Sequence, residues 1–353
     1  MLLLALFACD PPDDTDVARD VVAEITAPGP WTAGYHRSEV TYVDEVTGLD
    51  RTLFLASWYP TVDATGAGEV RYHGLVEDPQ ALLDASCAEG AFPVAVFSHG
   101  HQGYAENSSF LMRHLATHGW IVLAPDHTGN TTFDGSDRET PIYRQRPRDL
   151  SAVLDYAFDA GSGEPFATHV DPLVVGFGHS FGGYTIWATG GATYDEAAIA
   201  ACLDGSGSSS YCSTMTEADA DVFRGGLGDD RVAGVVPMAA GDVDRFGAVG
   251  VAAVDVPVLM MTAELDHDDA EAFWTGVQGS SAEHHRVVLA GAGHQSFTDL
   301  SGMIEDVPID PAEGWRIIDA YGLAFAERLR GDEAMQDVLD GSLAVSSAAT
   351  VLP

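Results

Sequence analysis

Leu173-Val-Val-Gly-Phe-Gly178-His-Ser180-Phe-Gly182-Gly183 runs without a break from a strand-like segment into a helix-like one. The apolar run Leu173–Phe177 fits a short strand buried on both faces, and Phe181–Ala188 fits the helix that leaves it. Between them lies the only Gly-x-Ser-x-Gly of the chain, Gly178 to Gly182. In that context the pentapeptide predicts a tight strand–turn–helix that lifts the Ser180 hydroxyl above the sheet edge. Side chains at the flanking glycines would clash with such a turn, and a helix N-terminus favours negative charge developing beside it. Ser180 is therefore the candidate nucleophile.

The same alternation extends both ways. Val40–Val46 and Leu53–Tyr59 read as an opening antiparallel pair. Pro93–Phe97, Trp120–Ala124, Val232–Met238, Val256–Met261 and Arg286–Leu289 read as strands; Ser109–His118, Arg148–Ala160 and Trp315–Arg328 read as helices. Near-continuous apolar strands alternating with helices predict an α/β fold, a mainly parallel central sheet with helices on both faces. Residues 190–230, rich in Gly, Ser, Ala and Asp, break the rhythm and read as a small insertion before the later strands. No internal repeat or second domain boundary is visible, so residues 31–330 read as one domain.

A serine nucleophile needs a base, an acid to orient it and donors for an oxyanion. Val94–Phe97 runs into Ser98-His99-Gly100-His101-Gln102-Gly103, a strand ending in His-Gly-x-x-Gly. The backbone N–H groups of His101, within one residue, and of Phe181 are the candidate oxyanion donors. His99 reads as a structural histidine beside the turn. Of 13 His residues only His294 sits in a Gly-rich turn after a late strand, which makes it the candidate base. Asp266, just after the Pro257–Ala263 stretch, is the candidate acid, with Asp242 and Asp244 as runners-up. Tyr104, His127, Trp274 and Phe297 are candidates for lining the substrate pocket, with core packing as the competing role of each.

The composition narrows the chemistry. Asp and Glu number 54 against 16 cations, a formal net charge of −38, and every cation is Arg. Phosphate binding needs a cationic face, so a nucleic-acid partner is not expected. Without Lys there is no Schiff base, Ser-Lys dyad or P-loop Lys. Hydrophobic residues at 46% supply a large core.

Phe97-Ser-His-Gly100, Ala124-Pro-Asp-His127, Gly178-His-Ser-Phe-Gly-Gly183 and His294-Gln-Ser-Phe297 together resemble the α/β-hydrolase superfamily, from about Tyr35 to Arg330. More narrowly they resemble the bacterial predicted dienelactone hydrolases and the platelet-activating-factor acetylhydrolases, with cutinase-like polyester hydrolases more distant. The resemblance implies hydrolysis of carboxylic esters through an acyl-enzyme, without metal or organic cofactor. Two departures matter: dienelactone hydrolases use a Cys nucleophile, and the position matching the acetylhydrolase acid is Met238. A lipase, phospholipid-acetylhydrolase or polyesterase remains the alternative within the class. Outside it stand a metal-dependent hydrolase, using His99, His101 and Asp266-His-Asp268-Asp269, and an inactive envelope binding protein. No helical H-E-x-x-H spacing supports the metal.

Met1-Leu-Leu-Leu-Ala-Leu-Phe-Ala-Cys9 resembles a bacterial lipoprotein signal in residues 1–9, with Cys9 lipidated, though without a charged n-region. Residues 10–30 read as an acidic, Pro-containing tether and residues 331–353 as a weakly ordered tail. The expectation is a lipoprotein on the periplasmic or surface side of the bacterial cell envelope, meeting the membrane only through that anchor, or a secreted protein. Such a compartment permits a disulfide, and Cys202 and Cys212 bracket a flexible loop suited to one. Cys87 is left over.

Overall fold

Short apolar runs form the strands, and the amphipathic stretches between them cover both faces of the resulting sheet. The computed structural model describes residues 19–135, 138–266 and 269–352. In chain order the elements begin with helix α1 (Val21–Thr26) and strands β1 (Thr32–Val43), β2 (Asp50–Thr61), β3 (Val70–Tyr72), β4 (Val76–Asp78), β5 (Ala81–Leu83) and β6 (Phe92–Ser98). Then follow α2 (Ser109–Thr117), β7 (Ile121–Pro125), α3 (Thr140–Ala157), β8 (Val170–His179), α4 (Phe181–Thr189), α5 (Glu196–Leu203) and α6 (Glu217–Gly225). The last third holds β9 (Val232–Met238), α7 (Gly247–Ala252), β10 (Val258–Ala263), α8 (Ala270–Val277), β11 (His284–Leu289), α9 (Pro311–Arg330), α10 (Gln336–Leu339) and β12 (Ala349–Leu352).

The main sheet has the order β12-β11-β10-β9-β8-β6-β7-β2-β1-β5. Its central run from β11 to β7 is parallel throughout. The expected opening pair is present: β1 and β2 run antiparallel, and β2 joins β7. Successive residues of each strand point to opposite faces. Ala95, Phe97, Val175, Phe177, Val236 and Met261 pack in one core with Leu111 of α2 and Leu323 of α9. Val94, Val96, Val174, Val235 and Met260 pack in the other with Leu150 of α3, Trp187 of α4 and Phe273 of α8.

Helix α3 begins eight residues before the expected Arg148, because Pro147 lies inside it rather than at its start. Proline removes the N–H that Tyr143 O would accept in a regular helix. The Tyr184 hydroxyl donates to that carbonyl instead, at 2.9 Å, which ties α3 to α4. The 190–230 segment folds as α5 and α6, and a Cys202–Cys212 disulfide with sulfurs 2.00 Å apart closes the turn between them. Cys87 is half-buried, and burial pushes its thiol up to about 12.

Both ends differ from expectation. In the part of the 10–30 tether that is described, α1 buries Val21 and Ile25, spaced four apart on one helical face, and Asp20 caps its N-terminus. Residues 331–352 are structured rather than a loose tail. Helix α10 buries Val338 and Leu339, and β12 pairs antiparallel with β11 as the sheet's last strand. An edge strand is paired through backbone bonds on one side, and β12 is only Ala349-Thr-Val-Leu352, too short to leave a clear pattern. Cys9 and the 1–9 signal segment lie outside the described residues.

Candidate active site

Five neighbouring parallel strands, β11, β10, β9, β8 and β6, end on the same edge of the sheet, where open α/β sheets carry their sites. Ser180 follows β8 directly and has φ 57° and ψ −118°, a left-handed conformation that costs a non-glycine residue about 1–3 kcal/mol. Its N–H donates to Met238 O at 2.9 Å, holding the elbow against the end of β9. The flanking glycines are required by close approach. A Cβ on Gly178 would overlap the Gly182 carbonyl, and one on Gly182 would overlap the Ser98 carbonyl of β6.

His294 opens a short 3-10 turn after β11, and Asp266 lies just beyond β10. His294 Nε2 is 2.8 Å from Ser180 Oγ, and His294 Nδ1 is 2.6 Å from Asp266 Oδ2. The fold thus brings together three residues spread over more than a hundred positions of sequence. Asp266 accepts a hydrogen bond from Nδ1–H, leaving the Nε2 lone pair facing the serine hydroxyl.

Two further groups hold His294 and were not singled out in the sequence. Glu305 accepts the backbone N–H of His294 at 3.2 Å and of Gln295 at 2.7 Å. His179 Nε2–H donates to His294 O at 2.8 Å. Burial pushes the His179 imidazole down to about 3, so it stays neutral beside the base. Being next to Ser180 in the sequence was the only available signal for His179; nothing local marked Glu305.

The β6 end loop lies against the elbow. Gly100 abuts Ser180 Cβ, and His101 and Ser180 line a common cavity. The N–H of Phe181 is the first of α4 and has no acceptor within that helix. His99 is fully buried. Its Nδ1–H donates to Gly100 O at 2.7 Å and its Nε2 accepts His127 N–H at 3.1 Å, which makes it a structural clamp of the loop. His101 Nδ1 accepts from the Asn130 amide at 2.9 Å, and burial, with Arg138 nearby, lowers its pKa.

Ser180 and His294 stand between two cavities. One, of about 390 Å³, is walled by Arg138, Phe181, Asp242, Asp244, Thr262 and Asp269. The other, of about 280 Å³, is walled by His101, Gln102, Asn107, Gln295, Leu300 and Ile304. The runner-up acids are occupied elsewhere: Asp242 pairs with Arg138 and accepts from Tyr143 Oη at 3.0 Å, and Asp244 pairs with Arg245 at 3.0 Å. Burial, with Asp242 and Asp244 adding repulsion, pushes the Asp269 carboxyl up.

None of the four expected pocket residues lines either cavity. Tyr104 packs edge-on against His73 and Phe133. His127 is fully buried beneath the loop, bonded to Ser98 and Asp149. Trp274 is buried in α8 with its edge toward His284, and Phe297 is buried in the core under His179. Aromatic character near a motif was the reason for choosing them, but the same character drives burial. The walls come instead from Arg138 and the loops after β9 and β10 in one cavity, and from the loops after β6 and β11 in the other. Among the described residues no cluster of His, Cys, Asp or Glu is arranged to hold a metal ion, and no helix is long and apolar enough to cross a membrane.

Sheet order, the elbow at Ser180 and the meeting of Ser180, Asp266 and His294 at the strand ends give the chain the α/β-hydrolase fold. A family model described as Chlorophyllase matches residues 69–200. Among solved structures, a ferulic acid esterase from Streptomyces cinnamoneus superposes with a TM-score of 0.67 at 20% identity, covering 94% of this chain and 99% of that one. None of the curated protein sequences compared with the chain matches it.

Proposed function

We propose that the protein is a serine carboxylic-ester hydrolase. The observation that carries this is the unbroken chain of short bonds from Asp266 through His294 to Ser180, with Ser180 on a strained elbow at the mouth of two cavities. Ser180 Oγ attacks the ester carbonyl as His294 Nε2 takes its proton. Asp266 holds the imidazole in the reactive tautomer and stabilises the imidazolium without taking the proton. The tetrahedral oxyanion is held by the N–H groups of Phe181 and His101. His294 then protonates the departing alcohol, and a water activated by the same histidine releases the acyl group.

The likeness to a ferulic acid esterase and to a family named for chlorophyllase supports an ester bond as the target. The polar wall of Arg138, Asp242, Asp244 and Asp269 favours a small, polar ester over a long-chain lipid or a polyester. A panel of p-nitrophenyl esters of graded acyl length tests both points, with mass detection of the acyl group on Ser180. Short acyl groups should turn over fastest, and wild-type-like turnover by Ser180→Ala would sink the reading. We further propose lipid anchoring at Cys9. Release of Cys9→Ser from the membrane fraction of a bacterial host is the expected result, and its retention there would refute the anchor.

A further inference from the structure

Arg146 is fully buried in α3, and among the described residues no carboxylate lies within ion-pair distance of it. That is an expensive way to place a charge, because a buried ion loses its hydration and Asp149, the carboxylate that favours the charge, does so without a direct ion pair. Burial pushes the guanidinium down to about 9, which still leaves it cationic at neutral pH.

What Arg146 touches accounts for its position. Its Nη2 donates to the carbonyl of His99 and, at 3.1 Å, to Ser98 Oγ, both at the end of β6. Its Nη1 donates to Asn130 Oδ1 at 2.7 Å, and the Asn130 amide reaches His101 Nδ1. Its Nε donates to Thr185 Oγ1 of α4 at 3.2 Å, and its guanidinium lies 4.6 Å from the centre of the Phe181 ring. One rigid fork therefore grips both elements that carry the candidate oxyanion donors, the loop of His101 and the helix start at Phe181. Donors worth most to catalysis are those already in place before charge develops.

We infer that Arg146 is the positioning residue of the oxyanion hole: it locks the 98–101 loop to the start of α4 and sets a buried positive charge behind the two donor N–H groups. This rests on the hydrolase reading above. The charge and the geometry act in the same sense, since both favour the tetrahedral oxyanion over the neutral ester. The effect should fall on kcat rather than on KM.

The test compares Arg146→Gln, Arg146→Lys and Asn130→Ala with wild type on p-nitrophenyl acetate. Turnover is expressed per site titrated to completion with a serine-directed phosphonate, so that unfolded molecules are not counted. Arg146→Gln should lose about 10²-fold in kcat per site, the scale of one lost oxyanion donor, with KM within about threefold. Arg146→Lys, which keeps the charge but loses the fork, should recover about tenfold of that loss, and Asn130→Ala should lose about tenfold. Inhibition by a boronic acid that forms a tetrahedral Ser180 adduct should weaken in parallel with kcat. A merely structural role would lower the number of titrated sites and leave kcat per site and boronate inhibition unchanged; that result overturns the inference. If Arg146→Gln gives no folded protein, Arg146→Lys and Asn130→Ala decide, and kcat per site within about threefold of wild type in both overturns it. Ser180→Ala separates the two ideas. If it stays active the hydrolase reading fails; if it is dead while the Arg146 variants keep full turnover per site, only this inference fails.

Discussion

Among the described residues, two Ser–His–Asp arrangements have nearly the same bond lengths. In one, His294 bridges Ser180 and Asp266 at 2.8 and 2.6 Å. In the other, His127 bridges Ser98 and Asp149 at 2.9 and 2.8 Å. The second is sealed: Ser98, His127 and Asp149 have no exposed surface. The Asp149 carboxylate is clamped by Arg51 at 2.7 and 2.9 Å and also accepts from Tyr42, and Ser98 Oγ already accepts from Arg146. Ser98 ends an ordinary strand, whereas Ser180 is held in a left-handed elbow facing open cavities. Spacing alone therefore does not make a nucleophile. Access and a strained presentation of the hydroxyl distinguish the candidate triad from the structural tie.

The largest expected contrast is between the two serines. Ser180→Ala should lose about 10⁴–10⁶ in kcat, whereas Ser98→Ala should stay within about tenfold and lose about 1–3 kcal/mol of stability, because the buried groups that bonded its hydroxyl are left unpaired. A serine-directed phosphonate should add mass to the Ser180 peptide only; an adduct on Ser98 would erase the distinction. The acids come next. Asp266→Asn should cost about 10⁴ in kcat by removing the group that sets the imidazole tautomer, measured on the same ester. Asp149→Asn should instead cost about 3–5 kcal/mol in urea unfolding, because it strands the largely enclosed Arg51 charge.

The smallest contrast is in pH dependence. Burial, with Arg146 beside it, pushes His127 down to about 3, while Arg51 and His127 outweigh the burial penalty on Asp149 and hold it down at about 2. Both folded values lie below the unfolded ones, so each contribution is complete above the unfolded pKa and is lost as pH falls. For His127 the loss runs from about pH 6.5 to 3, and for Asp149 only below about pH 4. Unfolding free energy measured across that range should fall less steeply for His127→Gln than for wild type. An unchanged slope would show that His127 does not stay neutral in the fold.

The candidate residues readable in advance were those whose proposed role imposes a local pattern. Ser180 needs glycines on either side and a strand and helix around it, and His294 needs a turn after a late strand, so both stand out by position. Asp266 was one of several acids near a strand end, and only the bond to His294 singles it out from Asp242 and Asp244. The pocket was misread because aromatic residues near the motifs went into the core, and the walls of the larger cavity came from carboxylates and an arginine that look like surface charge in the sequence. The C-terminal strand escaped notice because its pairing with β11 is made by backbone groups, which leave no side-chain pattern.

The amino-acid sequence by itself determined the alternation of strands and helices, the elbow at Ser180 and the all-arginine, strongly acidic composition that removes lysine chemistry and an electrostatic hold on phosphate. These follow from periodicity, glycine sterics and charge, which act over a few residues or over the whole chain. The tertiary structure alone decided which of two Ser–His–Asp sets faces a cavity, which aspartate meets His294, and where the Arg146 charge is buried. Those depend on contacts between residues tens to more than a hundred positions apart. Burial and exposure at such contacts are properties of the packed sheet edge, and no local pattern encodes them.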